Sequence, residues 1–123
     1  MKTYNGSCSK VTFEVTIKLT RISKCNCSIC TKKGIIHHLV DQSQFNLISG
    51  KDNLSLYQFG TMRAKHYFCK YCGIHLFNNP RTYPEKVSVN VNCLDNFDLE
   101  KEMPKVVKFD GRNWEEAFKS LEN

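Results

Sequence analysis

"VTFEVTIKL", Val11 to Leu19, alternates without a slip: Val11, Phe13, Val15, Ile17 and Leu19 are apolar, and the residues between them are polar. Successive side chains of a strand point to opposite faces, so this period of two marks a strand with one face on a core. Outward from it, "IIHHLV" (Ile35 to Val40) is a second β-like run, and "FNLISG" and "LSLYQF" are short strands on either side of the turn residues Gly50 to Asn53. "KHYF" leads into Cys69 and Cys72 and "GIHLF" leads away, which places that CxxC on the knuckle of a hairpin. "KVSVNV" (Lys86 to Val91) and "KVVKF" (Lys105 to Phe109) are the remaining strands. Only the tail has a helical period: Trp114, Ala117, Phe118 and Leu121 form an apolar stripe, with Asn113 as N-cap and Glu116 as its capping-box partner. Many short strands closed by one helix predict a mainly β domain over residues 1–123.

The composition, 41% hydrophobic and 24% charged, is that of a globular chain with a modest core. No apolar run approaches the roughly 20 residues of a membrane helix, so no membrane partner is expected. The first residues, "MKTYNGSCSKVTF", lack a secretory h-region. A cytoplasmic location is expected, with the nucleus as the alternative. Thiols stay reduced there, so crowded cysteines mean metal or catalysis, and the odd count of seven argues against a complete disulfide framework. The formal charge of +6 falls to about +4 if six cysteines ionise around two Zn²⁺. The lysines are spread along the chain, which weakens a nucleic-acid reading.

Zinc takes thiolates about 2.3 Å away in a tetrahedron, so its ligands come in short-spaced groups from turns. "CKYCG" has that knuckle spacing, with Gly73 to relieve the turn, but supplies half a site; Cys8 is the best remaining partner. "CNCSIC" differs: Cys25, Cys27 and Cys30 can wrap one ion from a continuous segment. Left with an open fourth position, that ion would be reactive and would suit an incoming thiolate. Closed by a fourth cysteine it would be structural, and spacing alone leaves both readings standing.

The succession "GSCSKVTFEV", "CNCSICTKKG", "FCKYCGIHLF", "VNVNCLD" and "WEEAF" resembles the glutathione-dependent formaldehyde-activating enzymes along nearly the whole chain. The closer likeness is to the eukaryotic branch that includes centromere protein V. The resemblance implies a tent-like fold of short antiparallel strands, of the kind shared with the B-type methionine sulfoxide reductases, with zinc knuckles and a short C-terminal helix. It implies two Zn²⁺ sites: a reactive one on Cys25, Cys27 and Cys30, the catalytic candidates, and a structural one joining Cys69 and Cys72 to cysteines ahead of the first long strand. It also implies carbon–sulfur lyase-type chemistry on glutathione or a similar thiol and an aldehyde adduct. One motif departs from the family. Where the pattern is C-x-C-G-x-V, this chain has Gly6, Cys8, Ser9 and Val11. The Cys8/Cys69/Cys72 site is then incomplete unless it borrows a ligand, with His66 and His75 the nearest substitutes, and Gly6→Cys is expected to restore it.

The other polar residues have plainer readings. Cys93 is a buried free thiol. His37 and His38 occupy opposite-facing strand positions, so at most one faces the trio, and a solvent or core role is expected for both. Lys32 and Lys33 are a solvated pair, or offset thiolate charge or meet a substrate carboxylate. Asp95 is a cap, and Trp114 is packing for the terminal helix. The intact CxCxxC favours an enzyme. The damaged second motif and the lack of an evident acid/base partner favour the alternative, a non-catalytic zinc module that binds protein or nucleic acid.

Overall fold

The computed structural model describes residues 2–18, 22–102 and 106–122. The chain starts as β1 (Lys2–Ser7) and returns antiparallel as β2 (Thr12–Ile17), with Gly6 opposite Phe13. Val11, Phe13, Val15 and Ile17 are buried, as their alternation requires; Leu19 lies outside the described residues. β3 (Ile22–Cys25) then runs into α1 (Ser28–Lys33), followed by β4 (His37–Val40), β5 (Phe45–Ser49) and β6 (Leu54–Tyr57). β7 (Lys65–Cys69) and β8 (His75–Asn79) form the expected hairpin around the CxxC. β9 (Val87–Asn90), α2 (Leu99–Glu102), β10 (Val106–Phe109) and α3 (Trp114–Glu122) complete the order. Lys105 of the expected last strand is outside the described residues, as is the side chain of Leu121.

The strands form two sheets, β1-β2-β5 and β10-β3-β4-β9-β8-β7-β6. β5 and β6 therefore belong to different sheets, and the turn between them carries the chain across. Every pairing is antiparallel except β3 with β10, where Cys25 stands opposite Phe109. The core joins both sheets: Phe13 stacks on Phe45 (centroids 5.4 Å apart), and Phe45 meets Phe77 at 4.8 Å. Each fully buried side chain of this size contributes about 1.5–3 kcal/mol.

The central strands of the large sheet are buried on both faces. Phe77 pairs with Val89 in the core, while the neighbouring register places His66 opposite Asn78 and Asn78 opposite Ser88. These three line a cleft on the other side. β1 was not foreseen, because "KTYNGS" is mostly polar; only Tyr4 and Gly6 turn inward. Asp95 anchors that strand, accepting from Ser7 Oγ at 2.8 Å, while its backbone N–H donates to the Asn5 carbonyl at 2.7 Å. α3 is entered through a 3-10 turn, Gly111–Asn113, rather than from a free cap at Asn113.

Candidate metal centre

Cys25 is the last residue of β3, Cys27 is the extended N-cap of α1, and Cys30 lies in the helix's first turn. This strand-to-helix corner folds "CNCSIC" back on itself, and the three sulfurs lie within 4.8 Å of one another. Gly34 ends the helix in the left-handed region (φ 68°), where its amide bonds the Cys30 and Thr31 carbonyls. Soft thiolates converging at this spacing fit one Zn²⁺, for which the donor set is suited. Without a metal the sulfurs share protons. Cys25 and then Cys30 stabilise the Cys27 thiolate and lower its pKa, while hydrogen bonding to Cys25 and Cys27 raises Cys30.

The far wall is β10 and the turn after it. The Asn26 N–H donates to the Phe109 carbonyl (3.2 Å), and Asn26 Nδ2 donates to Asp110 Oδ1 (3.0 Å). Below the trio, His37 Nε2 lies 3.4 Å from Cys30 Sγ and its Nδ1 lies 2.9 Å from Ser88 Oγ. Burial holds the His37 pKa down to about 4, so the ring is neutral. His37 is not one of the three converging ligands. It lies outside the trio, where it would orient the Cys30 sulfur of a metal-loaded site. The sequence reading left it as a bystander. The alternation of "IIHHLV" puts it on the cleft face, but nothing local shows that Cys30 would meet it. His38, in the opposite-facing register beside Val89, hydrogen-bonds the Leu39 carbonyl through Nδ1 (2.9 Å).

Cys8, Cys69 and Cys72 form the second cluster, again within 4.8 Å. Gly73 takes a φ of 74°, its amide bonds the Cys69 carbonyl at 2.9 Å, and the Tyr71 amide points at Cys69 Sγ from 3.4 Å. Cys69 is buried and Cys72 exposed. The Ser9 hydroxyl brings the Cys72 pKa down to about 6. The donors fit a zinc ion with three protein sulfurs, and no fourth His, Cys, Asp or Glu joins them among the described residues.

His66 and His75 do not substitute. His75 Nδ1 is 3.3 Å from Lys33 Nζ and its Nε2 is 3.2 Å from Asn78 Oδ1, while His66 lies between the rings of Phe59 and His75. β8 and β7 direct both imidazoles away from the knuckle. The expected repair at position 6 fails as well. A Cβ on Gly6 would enter the Phe13 ring, so the space a cysteine would need is already filled by the core.

The trio opens onto a cleft of about 1430 Å³. His66, Asn78 and Ser88 are in its floor, and Arg81 and Trp114 are in its wall. The Arg81 guanidinium lies 3.7 Å from the Trp114 ring centroid and bonds Glu115 at 3.1 Å. Trp114 also stacks on Phe118 at 4.8 Å. It is thus cleft wall, where helix packing alone was expected. Lys33 is exposed, as a solvated lysine should be, yet its Nζ lies 3.3 Å from His75 Nδ1 and 5.5 Å from the Phe68 ring centroid. Cys93 is a buried free thiol, as expected, with burial pushing its pKa up to about 12.

Comparison with known proteins agrees with this geometry. The model of the family "glutathione-dependent formaldehyde-activating enzyme" matches residues 2–111. A crystal structure of a Rhodobacter sphaeroides protein is similar with a TM-score of 0.76 and 34% identity, covering 85% of this chain and 98% of that one. No helix among the described residues is long and apolar enough to cross a membrane.

Proposed function

The chain belongs to the glutathione-dependent formaldehyde-activating enzyme family, and on that premise we propose that it is a zinc-dependent enzyme of the carbon–sulfur lyase type. Its substrates would be glutathione or a similar thiol and an aldehyde, joined reversibly. The observation that carries this reading is the convergence of Cys25, Cys27 and Cys30 within 4.8 Å at the mouth of a cleft large enough for a tripeptide. Cys25, Cys27 and Cys30 would hold Zn²⁺, which supplies positive charge that favours the thiolate form of a neighbouring thiol. Cys8, Cys69 and Cys72 would hold a second, structural ion.

The reaction asks for few groups. The thiol sulfur adds to the carbonyl carbon, a C–S bond forms, the π pair moves to oxygen, and the proton lost by the thiol ends on that oxygen. His37, braced by Ser88, fixes the Cys30 sulfur, so the ligand set is oriented before substrate arrives. Asn78 and Ser88 give the cleft floor polar groups, bonded to His75 Nε2 and His37 Nδ1 respectively. The kinship with the centromere protein V branch and a reducing compartment, cytosol or nucleus, belong to the same proposal.

The test is the rate at which glutathione and formaldehyde form their adduct, followed by NMR with zinc-loaded protein and with Cys27→Ser. Acceleration by the parent and its loss in the variant are expected. A zinc-loaded parent no faster than the uncatalysed reaction would overturn the enzyme reading in favour of the binding module.

A further inference from the structure

Arg112 carries a guanidinium anchored on the reactive loop with its outer edge unpaired. Its Nε donates to the Asn26 carbonyl at 2.8 Å, and its backbone N–H donates to Asn26 Oδ1 at 3.1 Å. Asn26 stands between Cys25 and Cys27, so the arginine is fixed beside two of the three sulfurs. Arginine has five N–H donors in a planar fork, and only Nε is engaged here. The Nη groups have no partner among the described residues, and the residue is exposed in the cleft wall.

Its surroundings have one sign. Lys32, Arg81, Lys86, Lys108 and Arg112 line the cleft against a single carboxylate, Asp110, which already accepts from Asn26 Nδ2. Arg81 is paired with Glu115 and Lys86 with Asp41. Lys32, Lys108 and Arg112 have no acidic partner among the described residues. Three thiolates around a divalent cation leave a net negative charge, which repels an anionic substrate unless fixed cations offset it. An arginine held through Nε presents its remaining fork without further ordering, the geometry that matches a carboxylate with two parallel bonds.

We propose that Arg112 is a specificity-determining residue that selects thiols bearing a carboxylate, binding that group while the sulfur reaches the trio. This deepens the proposed function and rests on it. Residue 112 lies just past the span matched by the family model, so the assignment concerns this chain's own wall.

Calorimetry on the zinc-loaded protein tests it, with glutathione, its diethyl ester (thiol kept, both carboxylates masked) and S-methylglutathione (carboxylates kept, thiol masked). The parent should bind glutathione about ten- to hundred-fold more tightly than the diester, the range for charge-assisted hydrogen bonds. Arg112→Gln should remove most of that difference by weakening glutathione and S-methylglutathione while leaving the diester unchanged. Arg112→Lys, which keeps charge but not the fork, should fall between them. Equal affinity of the parent for acid and diester overturns the carboxylate assignment alone, as does a Gln variant that weakens all ligands equally. A parent that binds none of the three removes the thiol-site reading along with it. The acid–diester comparison needs no variant, so it stands even if a substitution impairs folding.

Discussion

Gly111 lies so close to Cys25 that a Cβ on it would be 2.5 Å from the Cys25 sulfur, and 2.8 Å from Cys27 Cβ. Only hydrogen fits between the end of β10 and the trio. Gly111→Ala should therefore displace at least one ligand sulfur while leaving the distant Cys8/Cys69/Cys72 cluster alone. Native mass spectrometry is expected to show two zinc ions in the parent and one in the variant. Two ions bound with unchanged affinity would mean the turn yields instead.

Gly6 has the opposite dependence. The family pattern suggests that a cysteine there would complete the second site, but the Phe13 ring already occupies the Cβ position. Overpacking of a filled core costs about 1–3 kcal/mol. Gly6→Cys should lower the melting temperature and leave zinc release to a chelator no slower than in the parent. Slower release together with a higher melting temperature would show that the ring gives way and the sulfur reaches the ion.

The cysteines should separate into three behaviours. Cys27→Ser should remove one equivalent of zinc, and Cys72→Ser the other. Cys93→Ser should remove neither, since burial keeps that thiol protonated and out of both clusters. Metal analysis of purified variants checks this. In the native protein Cys93 should also alkylate far more slowly than the exposed Cys72, and rapid labelling there would contradict its burial.

Acid should destabilise the fold through its buried imidazoles. Burial lowers the His75 pKa to about 3 and the His37 pKa to about 4, against 6.5 for the free side chain. Between those values the unfolded chain binds protons that the folded chain refuses, so stability rises with pH in that window. It is complete above the unfolded value and declines as pH falls from about 6.5 toward 3–4. At about 1.4 kcal/mol per unit, His75 alone accounts for a loss of up to roughly 5 kcal/mol. Urea midpoints at pH 7 and pH 4.5 are the measurement. His75→Gln, which keeps a polar group toward Asn78, should show a shallower fall. A midpoint that does not move with pH would show that the imidazoles gain protons in place.

The strands with strong alternation, from Val11 through Phe109, were legible because one-sided burial writes a period of two into the sequence. The mainly β fold and both cysteine clusters followed from spacing and family pattern. β1 was hidden, since it gives the core little beyond Tyr4 and an inward-facing Gly6. α1 was hidden too. Six residues ending in two lysines are too short for a visible period, and the N-cap, Cys27, makes no side-chain cap hydrogen bond that would mark the start. His37, Gly111 and Arg112 were not legible as site residues. Each acquires its role from a partner brought by tertiary pairing: Ser88 for His37, Cys25 for Gly111 and Asn26 for Arg112. Local pattern carries no trace of such pairings.

The parallel pairing of β3 with β10 also sets an order of assembly. Asn26 and Asp110 are 84 positions apart in sequence, so the wall beside the trio comes from chain made long after the cysteines have left the ribosome. Non-local pairings close late, because their loop entropy must be overcome before contacts reward it. Until then the sulfurs stand on a bare strand edge, open to metal donors from a side that is later covered. In the finished protein β10 and its turn cover that side and the trio faces the cleft, whereas in the nascent chain both sides stand open.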